Sequence, residues 1–145
     1  MLWQFLVGLS VSAVNIAIHA LVMAAVIRVV NRLEKTLRSL PWLHLIVIMI
    51  GTALVLMAAH AIEVLVWSYT YQLVGAAPEG SNTVYFAFVN YTTLGYGDIV
   101  PVKRWDLLGP MTAMNGVLLF GWSTAVLYAV LRQALTQTFP ARHDK

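Results

Sequence analysis

Five consecutive residues, Thr93-Leu94-Gly95-Tyr96-Gly97, have the composition of a backbone cation site. A dehydrated cation needs closely spaced oxygens in place of its water. Peptide carbonyls supply them when successive residues aim C=O at one axis, which an ordinary strand with alternating carbonyls cannot do. The backbone that can do it alternates between ordinary and positive φ, and glycine enters positive φ without steric penalty. Gly95 and Gly97 stand at alternate positions with Tyr96 between them, and the Thr93 hydroxyl offers one more oxygen at the inner end. A second group of reactive residues lies in long apolar stretches: Glu63, with His60 three residues before it, and His19 with Asn15 four before and Ser12 on the same side. A charged side chain at the centre of a membrane costs ~2.5–3.5 kcal/mol on insertion scales, and such residues are usually functional.

These residues must be held by elements that live in lipid. The chain has 145 residues, of which 60% are hydrophobic and 10% charged, whereas soluble domains are about a quarter charged. There is no cysteine, which excludes disulfides and cysteine-ligated metal. Basic residues flank apolar runs and form no separate patch, so no nucleic-acid partner is expected. Residues 1–27, 43–62 (extending past Glu63 to about Val74) and 107–131 are apolar runs of the ~20 residues a spanning helix requires. The first is too long for a secretory leader and lacks its basic start and small-residue cleavage site.

Orientation follows from the basic residues. Arg28, Arg32, Lys35 and Arg38, against Glu34, crowd the link between runs one and two, and Arg132, Arg142 and Lys145 follow run three. Short loops rich in Lys and Arg stay cytoplasmic, so the N-terminus is expected outside and the C-terminus inside, in the cell membrane. Lys103 and Arg104 oppose this and are outnumbered. Residues 28–40 are expected to continue the first helix until Pro41 ends it, with Trp42 an interfacial anchor. The outward segment begins with a turn-rich stretch, Gly75 to Gly80. Ser81 is expected to cap a helix through Thr92, about 18 Å long. The five extended residues that follow would cover roughly 16 Å, so a helix can descend partway and a strand climb back. Extended backbone at that depth must be enclosed by protein or line a wet cavity. The helix would also aim its negative C-terminal end at a cation below the strand.

Thr92-Thr93-Leu94-Gly95-Tyr96-Gly97-Asp98 resembles the signature of tetrameric potassium channels. The resemblance runs from about Leu43 to Arg132, on the template of small bacterial two-helix pores. It implies an all-α membrane protein with three transmembrane helices, a re-entrant pore helix and a selectivity filter, assembled as a homotetramer in lipid. By that resemblance the pore domain is 43–132, with outer helix 43–72, pore helix 81–92, filter 93–97 and inner helix 106–132. Residues 1–42 add a helix and a basic linker, and 133–145 form a short tail. The carbonyls of Thr93, Leu94, Gly95 and Tyr96, with the Thr93 hydroxyl, would bind K+, and Asp98 would stand at the outer mouth. K+ would be the permeant ion, with no cofactor and no enzymatic activity.

The chain departs from the family pattern in two places. Leu94 replaces the commoner valine, and Val89 stands where many members carry an acid in the pore helix. Glu63, helped by His60 and Asn90, is expected to replace that acid and brace the filter from behind, with Asn90, Tyr91 or the filter backbone as its partners; the bland alternative is that Glu63 reaches interfacial water. Gly116 is a candidate hinge of the inner helix, or else a small residue for close packing. Asn115, Thr112, Ser123 and Thr124 are candidate cavity residues, while Trp67, Phe86, Phe88, Tyr91 and Trp122 read as packing. The rival readings are a nonselective cation channel on the same fold, a metal-binding transporter or membrane enzyme using His19, His60 and Glu63, and a non-conducting regulatory subunit. Histidine titrates near neutrality, so the same three residues also suit a proton sensor.

Overall fold

A computed structural model describes residues 1–33 and 41–138 of the chain. It is all-helical: α1 (Leu2–Leu33), α2 (Pro41–Val74), α3 (Thr83–Tyr91) and α4 (Leu108–Thr138), with a single 3-10 turn at Lys103–Trp105 before α4. Three of these helices are long and apolar enough to cross a membrane, over Leu2–Arg32, Trp42–Val74 and Lys103–Thr136. Helices suit lipid because each satisfies its backbone hydrogen bonds internally. Lys35, Arg38, Glu34, Arg142 and Lys145, on which part of the orientation argument rests, lie outside the described residues, as does the expected continuation of the first helix over 34–40.

α1 packs along both α2 and α4. Its buried residues are Gln4, Gly8, Ser12, Asn15, His19, Met23, Val26 and Val30, at steps of four or three. That spacing keeps one stripe of a helix turned to its neighbours. Gly8 belongs to the stripe because the Met111 side chain occupies the space a Cβ would need. Both ends of α1 are fastened to α4 or its lead-in. Gln4 Nε2 donates to the Arg104 carbonyl at 2.7 Å, and Gln4 Oε1 accepts from the Leu107 amide at 3.0 Å. At the other end, Gln133 donates to Asn31 Oδ1 at 2.8 Å.

The interior has three layers. One apolar cluster gathers Val64, Trp67, Tyr71, Phe86, Tyr91, Leu108 and Met111 around α3. A second joins Met23, Val26, Val30, Ile48, Leu56, Val126 and Val130 of α1, α2 and α4. Between them lies a buried polar layer: Asn15, His19, Glu63, Asn115 and Ser123.

α3 starts later than expected and is shorter. Asn82, not Ser81, is its N-cap, accepting from the Tyr85 amide at 3.1 Å. The Ser81 hydroxyl is engaged in the preceding turn, donating to the Pro78 carbonyl at 2.6 Å. Thr92 closes the helix as C-cap rather than as its last residue. α2 turns off at Gly75 (φ 63°), where the Arg104 guanidinium donates to the Val74 carbonyl at 3.3 Å. A cation there complements the negative end of the helix.

Candidate functional site

The segment after α3 has an unusual backbone. φ is positive at Thr93 (61°), Gly95 (59°) and Gly97 (78°), every second residue. Glycine enters this region freely, but a β-branched threonine does so only where its surroundings hold it. Here the preceding helix does the holding. The Thr93 amide donates to the Asn90 carbonyl at 3.0 Å, and the Leu94 amide to the Val89 carbonyl at 2.9 Å. Beyond that point the backbone leaves the helix. Among the described residues, no hydrogen bond ends on the carbonyls of Thr93, Leu94, Gly95 or Tyr96. Thr92 to Asp98 are all exposed on the single chain. The far end is tied back to α3, where the Tyr85 hydroxyl donates to Asp98 Oδ2 at 2.7 Å. That carboxylate pushes the Tyr85 phenol above its ordinary range.

Behind the segment, α3 descends along α2. Thr83 begins it against Ser68, whose hydroxyl donates to Thr83 Oγ1 at 3.1 Å, and Tyr91 ends it against Glu63, donating its hydroxyl hydrogen to Oε2. Glu63 is wholly buried. Its Oε1 lies 2.8 Å from His19 Nδ1 and its Oε2 lies 3.0 Å from His60 Nδ1. The far nitrogens of both rings meet one hydroxyl: His60 Nε2 at 2.9 Å and His19 Nε2 at 3.2 Å from Ser123 Oγ. All four helices thus contribute to one group. The ligand atoms of His19, His60 and Glu63 lie within 4.8 Å of one another, close enough for a shared cation. Each of those atoms is, however, turned onto a hydrogen-bond partner, and the carboxylate occupies the centre.

A second polar bridge runs beside it. Asn15 Nδ2 donates to the Glu63 carbonyl at 3.2 Å and to Asn115 Oδ1 at 3.0 Å, and Trp67 Nε1 donates to the same Asn115 oxygen at 3.0 Å. Asn115, Thr112 and Ser123, weighed as cavity residues, are buried against the chain's own helices, whereas Thr124 is exposed. Asn90 is not a partner of Glu63. Its amide points to Tyr71 Oη at 3.4 Å, and Tyr71 in turn meets Thr112 Oγ1 at 2.5 Å. At Gly116 the Tyr91 carbonyl occupies the space a Cβ would take, so this glycine lets α3 approach α4 closely. The roles of Ser123 and Gln4 were missed in the sequence. Gln4 was detectable, since it extends the Ser12–Asn15–His19 stripe one step beyond Gly8; nothing local to Ser123 distinguishes it from Thr124.

The long apolar helices, the short helix lodged between two of them and the polar layer beneath define a membrane protein of the channel class. A family model described as an ion channel matches residues 59–133, slightly more than half of the chain, and the chain belongs to that family. The match spans Glu63, α3, the Thr93–Gly97 segment and most of α4; α1 lies outside it. No curated protein and no solved structure matches the chain.

Proposed function

We propose that the chain is one subunit of a homotetrameric, potassium-selective channel in the cell membrane. Thr93–Gly97 is its filter, α3 its re-entrant pore helix, α2 and α4 its outer and inner helices, and the N-terminus lies outside. The observation that carries this reading is the Thr93–Gly97 backbone: φ positive at alternate residues, and four successive carbonyls without a hydrogen-bond partner among the described residues. Alternating φ turns successive carbonyls to the same side. In lipid such oxygens must find a partner, and a ring of equivalent chains around desolvated cations provides it. Ions shed water on entry, occupy cages of carbonyls and displace one another in file. Potassium, rather than another monovalent ion, follows from the likeness of Thr93-Leu94-Gly95-Tyr96-Gly97-Asp98 to the family signature.

Glu63 takes the bracing part that Val89 cannot. Through Tyr91 it holds the last residue of α3, two positions before Thr93. The experiment is cation flux from liposomes containing the purified chain, under opposed potassium and sodium gradients. Potassium flux well above sodium flux is expected, and it should vanish in Gly95→Ala, whose Cβ would be strained at φ 59°. Equal flux of both ions would select a nonselective channel instead. No flux of either ion would remove the reading.

A further inference from the structure

Glu63, His19, His60 and Ser123 close into a ring of four hydrogen-bonded links: Glu63 to His19, His19 to Ser123, Ser123 to His60, and His60 back to Glu63. Each link needs one hydrogen. A carboxylate supplies none, two neutral imidazoles supply one each, and a hydroxyl supplies one. Three hydrogens cannot fill four links. We propose that this ring is a proton-binding site that holds one extra proton, and that the proton's presence sets how firmly Tyr91 is held behind the filter. The second half of this proposal rests on reading Thr93–Gly97 as a filter.

Charge leads to the same count as geometry. With one extra proton, held on an imidazole beside the carboxylate, the group is neutral overall, and its members titrate as a unit. Glu63 and His19 have no solvent exposure, so an uncompensated charge there is costly. Removing the proton leaves two ring nitrogens facing a single hydroxyl hydrogen and leaves the carboxylate unbalanced. Adding a second makes Ser123 accept twice, leaves its own hydrogen without a partner and gives the group a net positive charge. Only the singly loaded state satisfies every link.

Among the described residues, the surroundings supply no other charge. α1 brings His19, α2 brings His60 and Glu63, and α3 brings the Tyr91 hydroxyl, which lies 2.9 Å from His60 Nδ1 and also donates to Glu63. α4 brings Ser123 and the rings of Trp122, 5.3 Å from His19, and Phe120, 4.5 Å from His60. Its charged residue in the described span, Arg132, lies towards the far end of the helix. Tyr91 is therefore the ring's one link to α3. Opening the ring changes the acceptor that anchors the last residue of α3.

Two measurements on the full-length chain in bilayers test this. Nitrogen-15 histidine NMR should show, near neutral pH, one proton more than two neutral rings hold. His19 and His60 should lose it together in a single step as pH rises, and Ser123→Ala should split that step into two. Potassium flux should fall roughly threefold or more between about pH 5 and pH 8, the range in which histidine changes charge. Ser123→Ala or, should that variant not fold, His19→Gln should flatten the profile, and Tyr91→Phe should flatten it while leaving the NMR step intact. Two rings that titrate independently, or that are both neutral throughout, overturn the site. A held proton with flux indifferent to pH overturns its link to the filter. Absence of potassium flux at every pH would instead remove the filter reading, with NMR still deciding the proton site.

Discussion

Glu63 accepts from three directions at once, and no neutral residue can replace it. Glu63→Gln keeps the volume but loses the charge and turns one acceptor into a donor facing His19, His60 or Tyr91. Hydrogen bonds to charged groups are worth about 1.5–3 kcal/mol, so roughly a tenfold or larger shift is expected between conducting and non-conducting states of the proposed filter. Single-channel recordings read it directly; wild-type open times in this variant would sink the bracing role. The Tyr85–Asp98 tether makes a second, independent prediction. Because the carboxylate holds the phenol's proton, Tyr85 should ionise later than ordinary tyrosine, and the tether persists below that point and is lost as pH rises through it. Phenolate absorbance should show a late-titrating tyrosine in the wild type that moves back toward the ordinary range in Asp98→Asn. An unmoved titration would deny the contact. Part of this chemistry was legible in the sequence: an acid and two histidines in uncharged spans were candidates for one shared site, and Tyr91 was among the expected partners of Glu63. The choice of Tyr91 over Asn90 was not, because it depends on which side of a short helix faces α2 rather than on residue type.

At the scale of elements, the close approach of α3 to α4 rests on a missing side chain. Gly116→Ala places a methyl where the Tyr91 carbonyl lies, so the helices must part. Overpacking of this kind costs about 1–3 kcal/mol. Thermal unfolding in detergent should show a clear drop for Gly116→Ala and little for Gly121→Ala, whose added Cβ meets nothing within the chain. Equal effects would mean that the contact carries no weight. The three long helices were readable from hydropathy alone, since lipid leaves few alternatives for uncharged runs of that length. Their ends were not: α4 begins at Leu108 after a separate turn, and α3 begins one residue beyond Asn82 because Ser81 was already committed to the turn behind it. Competition between neighbouring caps is a local contest that composition does not decide.

For the whole molecule, the exposed side of α4 carries Met114, Val117 and Leu118, the carbonyls of Thr93 to Tyr96 have no hydrogen-bond partner among the described residues, and Tyr96 is 68% exposed. In the proposed assembly these surfaces meet other copies around the axis. Light scattering corrected for detergent should return four times the mass of the 16.0 kDa chain, and cysteines introduced at Val117 should cross-link between chains. A monodisperse monomer that still conducts would overturn the assembly. A stoichiometry of four is expected only through likeness to a family, since one chain's residues state what they lack and not how many neighbours supply it.

Fastening α1 to α4 at Gln4 and again at Asn31 makes the extra helix a splint. A bend at Gly116, the candidate hinge, would lie between those two fastenings, so the lower half of α4 would not swing alone. Either α1 flexes in concert, or the Asn31–Gln133 clasp must release first, and the energy of that clasp becomes part of the threshold for any such swing. Asn31→Ala should therefore lower the threshold, and a distance probe between α1 and α4 near this clasp should register separation before the filter responds.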